Sequence, residues 1–433
     1  MIRWWFYFLF LKLGLASWVP LTADENYYWV WSQNLQLSYY DHPAFAAWLF
    51  KLGTFLPAPL IKWPAVLMGH SALLVWCLFL SNIGFNRDQV KVWFLLAVMA
   101  PLVGLAGMVL TPDLPLLFFL AFSLYFFERA LRTGKAIYYS AFGVSLGLGF
   151  TSKYHIVLIL PGLVLYLIFS GEWRRVRWSI VPMAIAFAIV GASPVLIWNY
   201  QNEWASFRFQ LHHGMGKKAW KPIWPLEYAA SVLLLILPYY WKTVWRSIFE
   251  YKQKLLIFLS APILLFFLAT SFRSKVEANW SQVAFLPLLS LIAYYDHSRW
   301  KARASLLVWI ASLGLILIYW AKPWYPGCPE KLCEPLRYRA LEEVAKTYKP
   351  FRASSYQMAS YLWFQLKEPT YKLWGMSRRD FFDSFSMAKP NENSFYLAKH
   401  IETDLPSWIL DSHFKVEKIK DIDQDLVLLR VYK

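Results

Sequence analysis

The order of apolar and polar positions divides the chain into two unequal parts. Apolar runs recur near residues 2–20, 63–82, 92–110, 114–130, 136–152, 155–170, 178–198, 226–241, 254–272, 281–296 and 304–320. A helix crosses the hydrocarbon core with about 20 apolar residues, so residues 1–321 are expected to form about eleven transmembrane helices. Lys12 interrupts the first run and no clear A-x-A site follows it. That favours an uncleaved first span over a removed signal peptide. Beyond residue 322 the pattern turns polar and alternates strand-like and helix-like patches. VEKIKDIDQDLVLLRVYK, at 416–433, reads as a strand, a turn and a second strand. The expected fold is an all-α polytopic membrane domain over 1–321 with a small α/β domain over 322–433.

Composition strengthens the membrane reading. Of 433 residues, 58% are hydrophobic and only 16% charged, against roughly 25% charged in soluble domains. The net charge of +17 follows from where the bases fall. Arg87 and Lys91, then Arg129, Arg132 and Lys135, then Arg174, Arg175 and Arg177, then Lys242, Arg246, Lys252 and Lys254, then Arg299, Lys301 and Arg303 occupy every second loop. Basic loops stay in the cytoplasm, so the N-terminus is expected inside. The alternate loops (22–62, 111–113, 153–155, 199–225 and 273–280) and the C-terminal domain are expected on the opposite, outer side of the membrane. Short basic inter-helix loops do not make a nucleic-acid face. No GxGxxG or P-loop stretch offers a nucleotide site. Cys77 lies in a span, and Cys328 and Cys333 of PGCPEKLCEP suit a local disulfide in an oxidising compartment.

The uncommon polar residues concentrate on the outer side: Asp24, Glu25, Asp41, His42, Asp113, Lys153, His155, His212, His213, Lys275, Glu277 and Asn279. Ionisable groups at a membrane boundary line cavities or mark sites. Each also has a structural explanation. Thr22 with Glu25 fits a capping box, and Asp24 would then complement the helix dipole. Asp41 before His42-Pro43, and the Thr111-Pro-Asp113 stretch, look like further N-caps. As a set, carboxylate-bearing helix starts with lysines and histidines suit the phosphate of a lipid substrate. Tyr27, Tyr28, Trp31, Tyr39, Tyr40 and Trp48 read as an interfacial aromatic belt or as rings for a sugar face.

These stretches resemble a known family. DENYYW followed by YYDHPAFAAW, then LTPDLPL, FTSKYHIVLILPG, NEWASFRFQLHHG and SKVEANWSQVAFLPLL, resemble in order and spacing the outer loops of polyprenyl-phosphate-dependent GT-C glycosyltransferases. The nearest branch is the bacterial one related to protein O-mannosyltransferases, with the lipid A aminoarabinose and galacturonic acid transferases. The likeness covers most of residues 1–300; the tail has no match. It implies transfer of a sugar from a polyprenyl-phosphate donor to a lipid or glycolipid acceptor at the outer membrane face. Asp24 matches the general-base candidate and Asp113 the second acid. Glu25, Tyr28, His42, Lys153, Tyr154, Arg208, Lys275 and Asn279 are the expected substrate-binding residues. Asp41 and His213, or His212 in its place, match the ligands of a divalent metal. His42 stands where the aminoarabinose branch has lysine, and Ala44 where it usually has a second proline. The rival readings are a flippase for a lipid-linked sugar and a ligase that moves a whole oligosaccharide. Charges at one outer edge, without repeated halves, are unlike a transporter.

Overall fold

The computed structural model describes residues 1–215, 220–322, 336, 338–385, 392–411 and 414–433, with 213–215 by backbone alone. The expected Cys328–Cys333 disulfide lies outside the described residues. The chain forms two compact units: residues 1–18 with 36–314, and residues 19–35 with 315–433.

The first unit is helical. All the apolar runs within it are helical over most of their length. Among the described residues of the chain, five helices are long and apolar enough to cross a bilayer: Ala58–Asn82, Asp113–Thr133, Trp178–Gln201, Lys254–Ser271 and Arg299–Ala321. Three bent pairs raise the number to at most eight, below the expected eleven. Several runs make helices shorter than those five. Ala136–Ser152 has 17 residues, about 25 Å at 1.5 Å per residue, against a hydrocarbon core of about 30 Å. Two of the bent pairs, Arg87–Ala97 with Pro101–Met108 and Ile223–Ile236 with Pro238–Glu250, turn by 76° and 80°. Proline at each break removes the amide that would continue the helix.

Polar groups in this apolar interior are tied to backbone. Lys12 is fully buried, and its ammonium donates to the Gly104 carbonyl at 2.7 Å. Gln282 Nε2 donates to the Leu102 carbonyl at 2.8 Å. Both acceptors lie in the bent 101–105 segment, where the ordinary helical partners are lost. Trp76 Nε1 donates to Ser290 Oγ at 2.9 Å.

Small residues bring two helices to backbone distance. A Cβ on Gly143 would collide with the Ala184 carbonyl, and one on Gly147 with the Ala188 carbonyl. Thr151 Oγ1 donates across the same junction to the Gly191 carbonyl at 2.9 Å. This is the small-residue packing by which membrane helices associate without a hydrophobic driving force. Gly147→Leu is expected to cost at least about 1–3 kcal/mol through overpacking, read as a lower Tm in detergent. An unchanged Tm would show that the helices do not rely on this approach.

The second unit holds a five-stranded mixed sheet in the order β2-β1-β3-β5-β4, with β1 Phe351–Ala353, β2 Tyr371–Lys372, β3 Ser394–His400, β4 Lys415–Asp421 and β5 Leu426–Tyr432. β1 pairs in parallel with β2 and β3, and β5 runs antiparallel to β3 and β4. The expected strand-turn-strand at the end of the chain is β4 and β5. β4 is an edge, mostly exposed and charged with Lys415, Glu417, Lys418, Lys420 and Asp421, which blunts edge-to-edge association. Leu373, Met376, Phe395, Leu397, Ile409 and Val431 form a core on the sheet. A helix at Tyr356–Leu366 follows β1, and the helix Ala23–Gln33 belongs to the same unit.

Candidate active site

In the first unit, Asp113 and Lys153 form a buried ion pair. Lys153 Nζ donates to Asp113 Oδ1 at 2.6 Å, and both side chains are about nine-tenths or more buried. Asp113 opens its helix, but Pro112 occupies the cap position and makes no side-chain cap bond. The expected side-chain cap in the Thr111-Pro-Asp113 stretch is therefore corrected, while Asp113 stands at the helix start as expected and its carboxylate accepts from the lysine. Lys153 is placed by the glycine junction. The helix Ala136–Ser152 ends beside it, Lys153 is extended with φ −157° and ψ 135°, and a 3-10 turn begins at Tyr154. His155 stacks on Phe267, with ring centroids 5.7 Å apart and planes at 13°. It lies within electrostatic reach of Lys153 and His42. The structure thus brings His42, Lys153, His155 and Asp113 into one neighbourhood.

The 36–43 segment is held by hydrogen bonds. Ser38 and Pro43 form an isolated antiparallel bridge. The amide of Tyr39 donates to the His42 carbonyl at 3.2 Å. Asp41 is buried, and the following helix starts at Phe45 with Ala44 in the cap position. The expected cap at Asp41 is thus also corrected, because the bridge closes the loop before the helix begins. Tyr39 is fully buried and its hydroxyl accepts the Gln36 amide at 3.1 Å. Burial pushes this phenol up, so it stays protonated.

The helix Ala205–Met215 packs on these elements. Ser206 Oγ and the Tyr154 hydroxyl are 2.8 Å apart. Gln210 Nε2 donates to the Asp41 carbonyl at 2.5 Å, and the Tyr40 and Phe209 rings lie 4.8 Å apart. Sequence reading missed Ser206 and Gln210. Their i, i+4 spacing, which places both on one helix face, was the available signal. Arg208 is exposed, and its carbonyl accepts His212 Nδ1 at 2.7 Å. Lys275 is exposed and Asn279 half-buried in a 3-10 helix. These three carry no side-chain bond that draws them to the Asp113–Lys153 pair. The side chain of His213 lies outside the described residues. Among the described residues, no three His, Cys, Asp or Glu groups converge to hold a metal.

In the second unit, Thr22 and Glu25 form the expected capping box: the Glu25 amide donates to Thr22 Oγ1 at 3.2 Å and the Thr22 amide to Glu25 Oε2 at 2.9 Å. Glu25 is buried by that structural duty, whereas Asp24 is exposed. Tyr28 is buried edge-on to Trp31, 4.9 Å between centroids. The expected aromatic belt is corrected here. Tyr27, Tyr28, Trp29 and Trp31 are all under 10% exposed, so these rings pack inside protein.

Residues 41–198 match the family model described as dolichyl-phosphate-mannose-protein mannosyltransferase. The chain is 26% identical over 343 residues to the lipid A galacturonosyltransferase RgtD of Rhizobium johnstonii, covering 71% of this chain and 69% of the relative. Its fold matches ArnT from Cupriavidus metallidurans bound to undecaprenyl phosphate, with a TM-score of 0.66 at 13% identity over 99% of this chain and 97% of that one. The apo form of that protein gives 0.67 at 13% identity, over 99% and 98%. In fold over nearly its whole length, and in sequence over residues 41–198, the chain resembles the GT-C membrane glycosyltransferases of the branch related to protein O-mannosyltransferases.

Proposed function

We infer that this protein is an inverting integral-membrane glycosyltransferase. It moves a hexosyl or pentosyl group from a polyprenyl-phosphate donor to a hydroxyl of lipid A or another envelope glycolipid. The observation that carries the reading is the buried Lys153–Asp113 pair, with His42 and His155 beside it. The similarity to a lipid A galacturonosyltransferase supports the donor and acceptor classes.

The leaving group is a lipid phosphate, whose departure needs its charge stabilised and little protonation. Lys153 supplies a fixed positive charge, which Asp113 holds in place, and preorganised charge of this kind is the strongest lever on a developing anion. His42, half-buried in the adjoining loop, adds a second donor. Arg208 and Lys275, both exposed, suit phosphate contacts made once substrate is bound. Asp24 takes the acceptor proton as the oxygen attacks the anomeric carbon. That bond forms as the bond from anomeric carbon to phosphate oxygen breaks, which inverts the centre. The N-terminus lies in the cytoplasm and the C-terminal domain outside; a periplasm-dependent reporter fused after Lys433 is expected to be active.

The test is reconstitution. Purified protein, polyprenyl-phosphate sugars and a glycolipid extract are incubated, and added sugar is followed by mass spectrometry, with NMR for the new anomeric configuration. Transfer with inversion is expected. Movement of intact lipid-linked sugar across liposomes without transfer would replace the enzyme reading by a flippase. The same assay with and without EDTA decides whether a divalent metal at Asp41 and His213 takes part.

A further inference from the structure

The helix that carries Asp24 folds with the far end of the chain. Residues 19–35 share a compact unit with 315–433, although about 300 residues separate them in sequence. The contacts are specific. The Tyr27 hydroxyl accepts the Phe381 amide at 2.8 Å, a buried bond. The Tyr27 ring lies 4.4 Å from Tyr356 and stacks at 6.1 Å with Phe382. Trp31, fully buried, meets Phe381 edge-on at 6.1 Å. Trp29 meets Phe364 edge-on at 5.0 Å, with the Lys367 ammonium over both rings.

The partner turn is itself anchored. Asp380 and Asp383 form a capping box on the 3-10 turn Phe381–Ser384. Both carboxylates accept from Lys372 of β2, at 2.8 and 2.6 Å; Lys372 and Asp380 are buried and Asp383 is half-buried. The same ammonium also donates to the Arg378 carbonyl at 2.9 Å. A continuous series of bonds therefore runs from the sheet through Lys372, the 380–384 turn and the Phe381 amide to Tyr27. Asp24 sits three positions before Tyr27, just under one helical turn away. It is exposed in the first turn of a helix whose positions 25–32 are all buried.

We propose that the C-terminal domain is the positioning frame of the reaction: it fixes the Asp24 helix through Tyr27 and the Lys372-anchored 380–384 turn. Tyr27, Phe381 and Lys372 are positioning residues, not catalytic ones. The proposal rests on Asp24 acting as the base. A carboxylate displaced by about 1 Å loses on the order of 10²-fold, so an exposed base on a short helix needs such a frame.

Three variants of the full chain test it beside Asp24→Asn. Tyr27→Phe keeps the ring and removes the acceptor hydroxyl; kcat is expected to fall about tenfold or more at unchanged KM and unchanged membrane yield. Lys372→Met releases the turn, and amides of 23–33 are expected to exchange with deuterium faster than in wild type. Ile409→Ala, in the core on the sheet, is expected to lower Tm while leaving kcat and the exchange of 23–33 near wild type. Wild-type kcat in Tyr27→Phe together with unchanged exchange in Lys372→Met would overturn the proposal. So would a loss of kcat in Ile409→Ala that matches that of Tyr27→Phe. Should Lys372→Met fail to fold, Phe382→Leu gives the same exchange readout. Full activity in Asp24→Asn would instead remove the assignment of the base, and the exchange result would still report whether the domain holds the helix.

Discussion

Lys153→Met is expected to abolish transfer and to destabilise the protein by about 3–5 kcal/mol, the usual cost of stranding one partner of a buried ion pair. The pair is among the least exposed charge pairs of the first unit, with side chains 6% and 10% exposed. Water cannot take over the abandoned carboxylate of Asp113. The double variant Asp113→Leu with Lys153→Met separates the two effects. Replacing both charges by apolar groups of similar volume is commonly neutral or stabilising, so Tm should return to near wild type. Transfer should stay absent, because the positive charge at the leaving phosphate is still missing. Thermal unfolding in detergent and the reconstituted assay, run together, check this. Activity in the double variant would show that the pair is only a structural tie.

Asp24→Asn is expected to show the opposite pattern. Loss of a general base is worth about 10²–10⁴-fold in rate, while stability should change by less than about 1 kcal/mol, the value of an acid in a first helical turn. The side chain is exposed and the start of the helix is already secured by Thr22 and Glu25. Glu25→Ala removes half of that capping box and is expected to cost about 1 kcal/mol with most activity kept. A rate loss in Glu25→Ala equal to that in Asp24→Asn would reverse the two roles.

These neighbours show what could be read in advance. The capping box was legible because both of its partners lie within four residues, and local spacing fixes the geometry. The helical runs and the last two strands were legible for the same reason: periodicity is a local property. The Asp113–Lys153 pair joins residues 40 apart on different elements, and no pattern in either stretch announces the other. Asp41 looked like a cap because proline follows closely, yet the Ser38–Pro43 bridge postpones the helix to Phe45. The rings of 27–31 suggested a surface helix at the bilayer. The same amphipathic aromatic composition also suits a helix enclosed by protein, and only the tertiary partners at 356–382 distinguish the two.

Lys12 bears on how the chain is made. A lysine at the centre of a membrane helix costs about 2.5–3.5 kcal/mol in insertion until it is satisfied. Its acceptor, the Gly104 carbonyl, is synthesised 92 residues later. At roughly 5–20 residues per second, the ribosome supplies that partner on the order of ten seconds after the lysine emerges. The first helix therefore enters the bilayer on credit, and its residence there should remain reversible until the 101–105 segment arrives. Nascent chains arrested before that point would be extracted from membranes more readily than those arrested after it, and Lys12→Leu would erase the difference.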